Sequence, residues 1–302
     1  MKIRSLPTAL AIAGVALLAL AGCSAPASSV ATNGATLRVV ASTNVYGDIA
    51  SRIGGKDVQV TSIMSDPAQD PHSFEASAQN QLAISKADIL IENGGGYDDF
   101  MDTMRKAAPA AKRTVLNVVD LSGKKQGDSL NEHVWYDFPT MKTFADSLAA
   151  ALGKADAAHK AVFQKNAATF DSALAALEQR EADLKQKYSG QGVAITEPVP
   201  LYMLQAIGLQ NKTPQAFSEA VEAGTDVSPA VLKQTLDVIT GGSVRLLAYN
   251  EQTSGPETQQ VLDAANQAGV AVVPVRETLP PGKDYLSWMN ANLDAVSSAL
   301  AR

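Results

Sequence analysis

Residues 37–63 read LRVVASTNVYGDIASRIGGKDVQVTSI. The run at 37–42 is apolar and rich in β-branched residues, as a buried strand requires. A helical stretch follows at 45–53 and stops at Gly54-Gly55, after which 58–63 reads as a second strand. A strand, a crossover helix and a further strand make a βαβ unit, whose strands pair in parallel. The same alternation runs on. Residues 79–86 read as a helix, 88–92 (DILIE) as a strand ending in Gly94-Gly95-Gly96, 97–107 as a helix and 114–119 as a fourth strand.

The middle of the chain has a different texture. Residues 139–188 carry no proline after the first position and one glycine, Gly153, and are dense in Ala, Lys, Glu, Leu and Gln, all good helix formers. Phe163, Phe170, Leu174, Leu177 and Leu184 recur near helical spacing. Two helices broken near 153–157 are expected, the second running from about 157 to 188 and spanning ~45 Å at 1.5 Å per residue. The alternation then resumes. Strands are expected at 192–196, 244–249 and 270–275, with helices at 201–207, 229–240, 257–268 and 284–300. The fold class is therefore α/β: two lobes, each a mainly parallel sheet with flanking helices, joined by one long rigid helix. The expected division is 37–156 for the first lobe, 157–188 for the linking helix and 189–302 for the second lobe. Ligands of open α/β sheets sit beyond the carboxyl ends of the strands, which puts a site in the cleft between the lobes.

The N-terminal residues belong to a different category. Lys2 and Arg4 precede the apolar run ALAIAGVALLAL at 9–20, and small residues lead to Cys23. That is the order of a secretory signal peptide, expected at 1–22, with an apolar core too short for a membrane span. Cys23 is the only cysteine in 302 residues. A lone thiol in an exported chain is odd, but Leu20-Ala21-Gly22-Cys23 resembles the lipobox of bacterial lipoproteins. Cys23 is the expected lipidation site and 23–36, rich in Ser, Ala and Thr, a flexible tether. The chain is then expected to be exported and held at the cell membrane, facing a periplasm or the cell exterior. The net charge of −6 speaks against a nucleic-acid partner, which selects basic faces. P-loop, GxSxG, HExxH and CxxC motifs are absent.

Three histidines remain: His72, His133 and His159. His72 lies in DPAQDPHSFE (66–75), a loop stiffened by two prolines. His133 lies in NEHVWYD (131–137), after the fourth strand. His159 falls in an Ala/Lys-rich stretch and reads as a solvated surface residue. In the second lobe, Glu197 follows a strand in ITEP, and 248–252 (AYNEQ) ends the next. Imidazoles with carboxylates suit Zn²⁺, Mn²⁺, Fe²⁺ or Cu²⁺, and these four strand-end segments are placed to converge on one ion. Each also has a plainer reading. A loop histidine beside proline often packs through hydrogen bonds, and a glutamate before proline often caps the next helix.

DPHSFE at 70–75 is similar to the D-P-H-x-[YF]-E segment, and HVWYD at 133–137 to the H-x-W-[LMY]-[DN] segment, of the zinc/manganese-binding proteins that serve ABC importers. The resemblance spans essentially the whole chain after the leader. It implies two lobes bridged by a rigid helix with a metal between them, and His72 and His133 as ligands from the first lobe. The third ligand in that family is His in zinc members and Glu in manganese and iron members, and Glu197 falls at that position. The fourth is often an Asp late in the chain. NEQTSGP (250–256) holds none, which leaves Glu251, with Asn250 or water as alternatives. Asp70, Glu75, Glu132 and Asp137 are the nearby groups expected to orient the imidazoles. The resemblance implies a lipoprotein that captures Zn²⁺ or Mn²⁺ and hands it to a membrane permease, a non-enzyme and a monomer. The competing reading is an exported metal-dependent hydrolase, with His72, His133 and Glu197 leaving one position open for water.

Overall fold

The computed structural model of the protein describes residues 36–66, 74–125 and 130–302. The expected signal peptide, Cys23, the tether and His72 lie outside the described residues. The first sheet holds β1 (Leu37–Thr43), β2 (Val58–Met64), β3 (Ile89–Glu92) and β4 (Thr114–Asn117) in the order β2-β1-β3-β4. The second holds β5 (Gly192–Ile195), β6 (Gln210–Asn211), β7 (Leu246–Asn250) and β8 (Ala271–Val275) in the order β6-β5-β7-β8. Every described pairing is parallel. The two lobes thus share one topology: the first strand of each is central, and the strand order reverses beside it, between β1 and β3 and between β5 and β7.

Helices cover the sheets: α1 (Asn44–Gly54), α2 (Ala78–Lys86), α3 (Asp99–Ala107) and the short α4 (Val118–Ser122) in the first lobe, and α7 (Leu201–Ala206), α8 (Gln215–Glu222), α9 (Pro229–Thr240), α10 (Pro256–Ala268) and α11 (Tyr285–Leu300) in the second. Two departures from the sequence reading have local causes. The strand expected at 114–119 ends at Asn117, whose side chain accepts from the Asp120 N–H and caps α4. Val118 and Val119 are buried from that helix rather than from a strand. The pair β6 and α8 was not anticipated, because β6 is two residues long and α8 shows only Phe217 and Val221 as a buried apolar edge.

The central helices are α5 (Phe138–Ala155) and α6 (Lys160–Tyr188). Asp137 caps α5 by accepting from the Thr140 N–H. The 29 residues of α6 bury Phe163, Ala167, Phe170, Leu174, Leu177, Glu181 and Leu184, a stripe at alternating spacings of four and three. Its length, ~43 Å at 1.5 Å per residue, lets it serve both lobes. Asn166 near its start donates to the Ile53 carbonyl at the end of α1 (2.9 Å), and Arg180 near its end pairs with Asp294 on α11. The lobes also touch directly. Arg52 pairs with Asp284, Asn44 exchanges two hydrogen bonds with the backbone of Leu279, and Tyr285 donates to the Trp135 carbonyl at 2.6 Å. One apolar cluster runs through Tyr46, Trp135, Phe170, Tyr285 and Trp288, so the core is continuous across the lobe boundary. His159 sits at the N-cap of α6, 2.6 Å from Asp156, with its side chain 44% exposed.

Glu181 is the anomaly in the α6 stripe. It is 6% exposed, and its Oε1 has no hydrogen-bond partner among the described residues. Burial, reinforced by Glu178 and Asp137, raises its pKa from 4.5 to about 8. The folded chain therefore keeps this proton to higher pH than the unfolded chain. The stability from that proton is fully present below the unfolded value near 4.5 and is lost as pH rises towards 8. Glu181→Gln is expected to flatten the pH dependence across that window, by up to ~1.4 kcal/mol for each pH unit. Urea unfolding of both proteins at about pH 5 and about pH 8 checks this; an equal gap between them at both pH values contradicts it.

Candidate metal centre

Glu197, Asn250 and Glu277 stand at the carboxyl ends of β5, β7 and β8, where open parallel sheets bind ligands. All three are buried, Glu197 to 2% exposure, Asn250 to 0% and Glu277 to 1%. The Asn250 amide nitrogen donates to Glu277 Oε1 (2.8 Å) and to Glu197 Oε2, so a single side chain holds both carboxylates. Its own backbone N–H donates to Thr196 Oγ1 (2.9 Å), and its amide oxygen accepts from the Gln252 N–H (3.0 Å). The Gln252 side chain in turn accepts from the Glu277 N–H at 2.6 Å. The loops after three strands of the second lobe are thereby tied into one frame.

His133 comes from the opposite lobe. It is 1% exposed, just before a 3₁₀ turn at Val134–Tyr136, and its ring packs against both Tyr97 and Trp135, with centroids 5.9 and 5.1 Å away. The chain reaches it from α4 and passes close to the triple-glycine loop after β3. A Cβ on Gly95 would come within 2.9 Å of Leu130 Cδ2, and Gly95 has φ +70°, so this approach needs glycine. Asn93, beside that loop, donates to the Glu132 carbonyl at 3.0 Å and fixes the segment from below.

His133 Nε2 lies 3.7 Å from Glu277 Oε2. Two donor atoms held ~2.1 Å from one ion at a tetrahedral angle stand roughly 3.4 Å apart, so this pair is spaced much as ligands of a common ion are. The electrostatics agree. Burial, and then the neighbouring Glu277 charge, raise Glu197 from 4.5 to about 8. Burial alone would lower the His133 pKa, but Glu277, Glu132 and Glu222 outweigh it and raise the value. A desolvated carboxylate held above its normal range by burial and a neighbouring carboxylate, with an imidazole drawn towards positive charge, describes a pocket that is short of a cation.

A second cluster shares His133. Among the described residues, Glu132, His133 and Glu222 are the His, Cys, Asp or Glu group whose ligand atoms lie within 4.8 Å of one another. Glu222 ends α8, is half-buried, and approaches His133 Nδ1 at 3.6 Å. That nitrogen also lies 2.7 Å from Asn131 Oδ1, an acceptor, so it carries the ring hydrogen and offers no lone pair. The face of the His133 ring left with a lone pair is the Nε2 side, towards Glu277.

The structure brings His133 and Glu197 to the same buried region. His72 is outside the described residues. Glu251, the favoured fourth ligand from sequence, has a side chain 40% exposed that pairs with Arg276. Asn250 joins the two carboxylates through nitrogen rather than presenting its oxygen to the cleft. Sequence reading passed over Glu277. The rule that found Glu197, a carboxylate just past a strand end, would have found it had it been applied to the strand at 270–275. Of the groups expected to orient the imidazoles, Asp137 caps α5 and Glu75 is exposed.

Residues 39–299 match the family described as ZnuA, zinc-uptake complex component A, periplasmic. The chain belongs to this family. Family relatives include the manganese ABC transporter substrate-binding lipoprotein scaA of Streptococcus gordonii, 24% identical over 95% of this chain and 96% of its own length. The manganese-binding lipoprotein MntA of Bacillus subtilis is 24% identical over 85% of this chain and 84% of its own length. Among solved structures, the periplasmic zinc-binding protein TroA of Treponema pallidum has a TM-score of 0.74 at 21% identity, covering 88% of this chain and 100% of that one. The solute-binding protein FpvC of Pseudomonas aeruginosa, solved with Mn²⁺, has a TM-score of 0.73 at 22% identity, over 88% and 98%. These likenesses place the fold, two parallel α/β lobes joined by a long helix, within the family.

Glu277→Ala is expected to weaken binding of Zn²⁺ or Mn²⁺ at least 100-fold, roughly 3 kcal/mol or more at 1.4 kcal/mol per decade. Glu251→Ala and Glu222→Ala are expected to change it by less than about 10-fold, or ~1.4 kcal/mol. Calorimetric titration of the three variants ranks the carboxylates; a larger loss from Glu251 or Glu222 than from Glu277 reverses the assignment.

Proposed function

We propose that the protein captures a divalent transition-metal ion, Zn²⁺ or Mn²⁺, outside the cytoplasm and delivers it to the permease of an ABC importer. One observation carries the reading: buried carboxylates of the second lobe meet a buried imidazole of the first at the strand ends, in a pocket whose charges call for a cation. The proposed ligands are His133, Glu197 and Glu277, with His72 as the fourth on the strength of its DPHSFE segment. Raw affinity in such a set favours Zn²⁺ over Mn²⁺, while hard carboxylate oxygens make Mn²⁺ an acceptable guest. The relatives named for manganese and the structural neighbour named for zinc support the class of cargo.

Capture without chemistry suits the fold. The continuous core and the helix bonded to both lobes permit small movements around the ion rather than wide opening. Neither the family nor any relative named above is an enzyme, and the hydrolase reading finds no support there. Cys23 as a lipid anchor completes the proposal, holding the carrier beside its permease. Among the described residues no helix is long and apolar enough to cross a membrane.

A ligand present at 100 times its Kd adds ~2.7 kcal/mol of stability. For a chain of this size that corresponds to a rise in Tm of roughly 5–10 °C. Chelator-stripped protein is expected to show this rise with Zn²⁺ or Mn²⁺ and to lose it in the His72→Ala/His133→Ala double variant. A melting curve indifferent to Zn²⁺, Mn²⁺, Fe²⁺ and chelator alike would rule out metal capture.

A further inference from the structure

Asn131 makes four polar contacts, and they connect the two halves of the proposed site. Its Nδ2 donates to the Pro198 carbonyl at 3.0 Å. Its Oδ1 accepts from the His133 backbone N–H at 3.1 Å and faces the His133 ring Nδ1 at 2.7 Å. Its backbone carbonyl accepts from the Tyr202 hydroxyl at 2.6 Å. Pro198 and Tyr202 belong to the second lobe, and Pro198 directly follows Glu197.

The chemistry of these partners removes any ambiguity in the amide. The Pro198 carbonyl can only accept, so the amide NH₂ must face it. The His133 backbone N–H can only donate, so the amide oxygen must face that side. With an oxygen acceptor against Nδ1, the ring hydrogen belongs on Nδ1. In the neutral ring, the form that can hold a metal, the lone pair is then on Nε2, the nitrogen that looks towards Glu277.

We propose that Asn131 is the positioning residue of the metal centre: one amide fixes the tautomer and orientation of His133 and at the same time latches that ligand to the loop that carries Glu197. The role rests on the metal-capture reading above. It adds that orientation of the first-lobe ligand and apposition of the second lobe are a single event. An ion held by both lobes cannot leave while the latch is made, and breaking the latch also unseats the imidazole. Asn131 thus governs release of the cargo as well as its affinity.

The two duties of the amide separate by substitution. Asn131→Ala removes both. Asn131→Asp keeps an oxygen acceptor for Nδ1–H but sets a second oxygen, with no hydrogen to donate, against the Pro198 carbonyl. Tyr202→Phe removes only the bond to the Asn131 carbonyl and serves as a milder variant if the alanine protein folds poorly. The probe is Cd²⁺, loaded into chain labelled with ¹⁵N-histidine, together with chelator-driven release of Zn²⁺ or Mn²⁺. Cadmium coupling is expected on His133 Nε2, with hydrogen on Nδ1, in the wild type and in Asn131→Asp. Asn131→Ala is expected to lose that single pattern and to bind about 10- to 100-fold more weakly, as loss of an orienting partner typically does. Release is expected to quicken in all three variants, least in Tyr202→Phe. Wild-type release rates and an unchanged ring pattern in Asn131→Ala would overturn the proposal. Failure of the wild type to take up any ion would instead overturn the metal-capture reading, so the two failures are distinguishable.

Discussion

Two carboxylates taken almost completely out of water, Glu197 and Glu277, face the lobe boundary with one neutral amide between them. Buried negative charge of this kind is costly unless paired, and the cost grows when two such groups are neighbours. The raised pKa of Glu197 and the upward pull on His133 are two expressions of the same shortage of positive charge. The arrangement persists because the frame around it is over-determined. Asn250, Thr196 and Gln252 tie the three strand ends together, and the strands themselves are held in parallel register. A divalent ion relieves the repulsion that protons otherwise relieve, so cargo binding and the stability of this region are physically one quantity.

That constraint explains why the architecture is stiff. A site drawing donors from both lobes holds an ion best when the lobes move little relative to one another. Here α6 bonds to α1 at one end and to α11 at the other, direct lobe-to-lobe hydrogen bonds run through Asn44 and Tyr285, and the apolar core crosses the boundary. Carriers hinged on flexible strands gain selectivity by closing around a large solute. A bare ion presents almost no surface to close upon, and pre-set donor geometry discriminates it better than a large movement.

The site is also asymmetric in its support. The second-lobe carboxylates are held by their own lobe, whereas His133 depends on Asn131, whose amide reaches across to Pro198. Glu222, on the Nδ1 side of the same imidazole, adds negative charge near the ring without facing Nε2. The cluster of Glu132, His133 and Glu222 is close-packed, yet the tautomer makes it the wrong face. Proximity of acidic groups to a histidine is thus a weaker guide here than the hydrogen bond that decides which nitrogen keeps its lone pair.

Much of this was legible in the chain itself, because local rules decided it. Alternating strands and helices with glycine stops are short-range patterns, and they specified two parallel sheets and a long helix between them; the short β6 and α8 carried too few apolar residues to register. His133 and Glu197 stood out as rare or stiffened residues at strand ends. Other features depended on contacts between segments far apart in sequence. Glu251 and Glu277 are both glutamates just past a strand, and only the fold shows one paired with Arg276 at the surface and the other buried beside His133. Asn131 is an ordinary loop asparagine until Pro198, 67 residues away, is placed against it. Local propensity and periodicity are written residue by residue, whereas burial, hydrogen-bond partners and the charge a group feels are properties of neighbours that folding alone supplies.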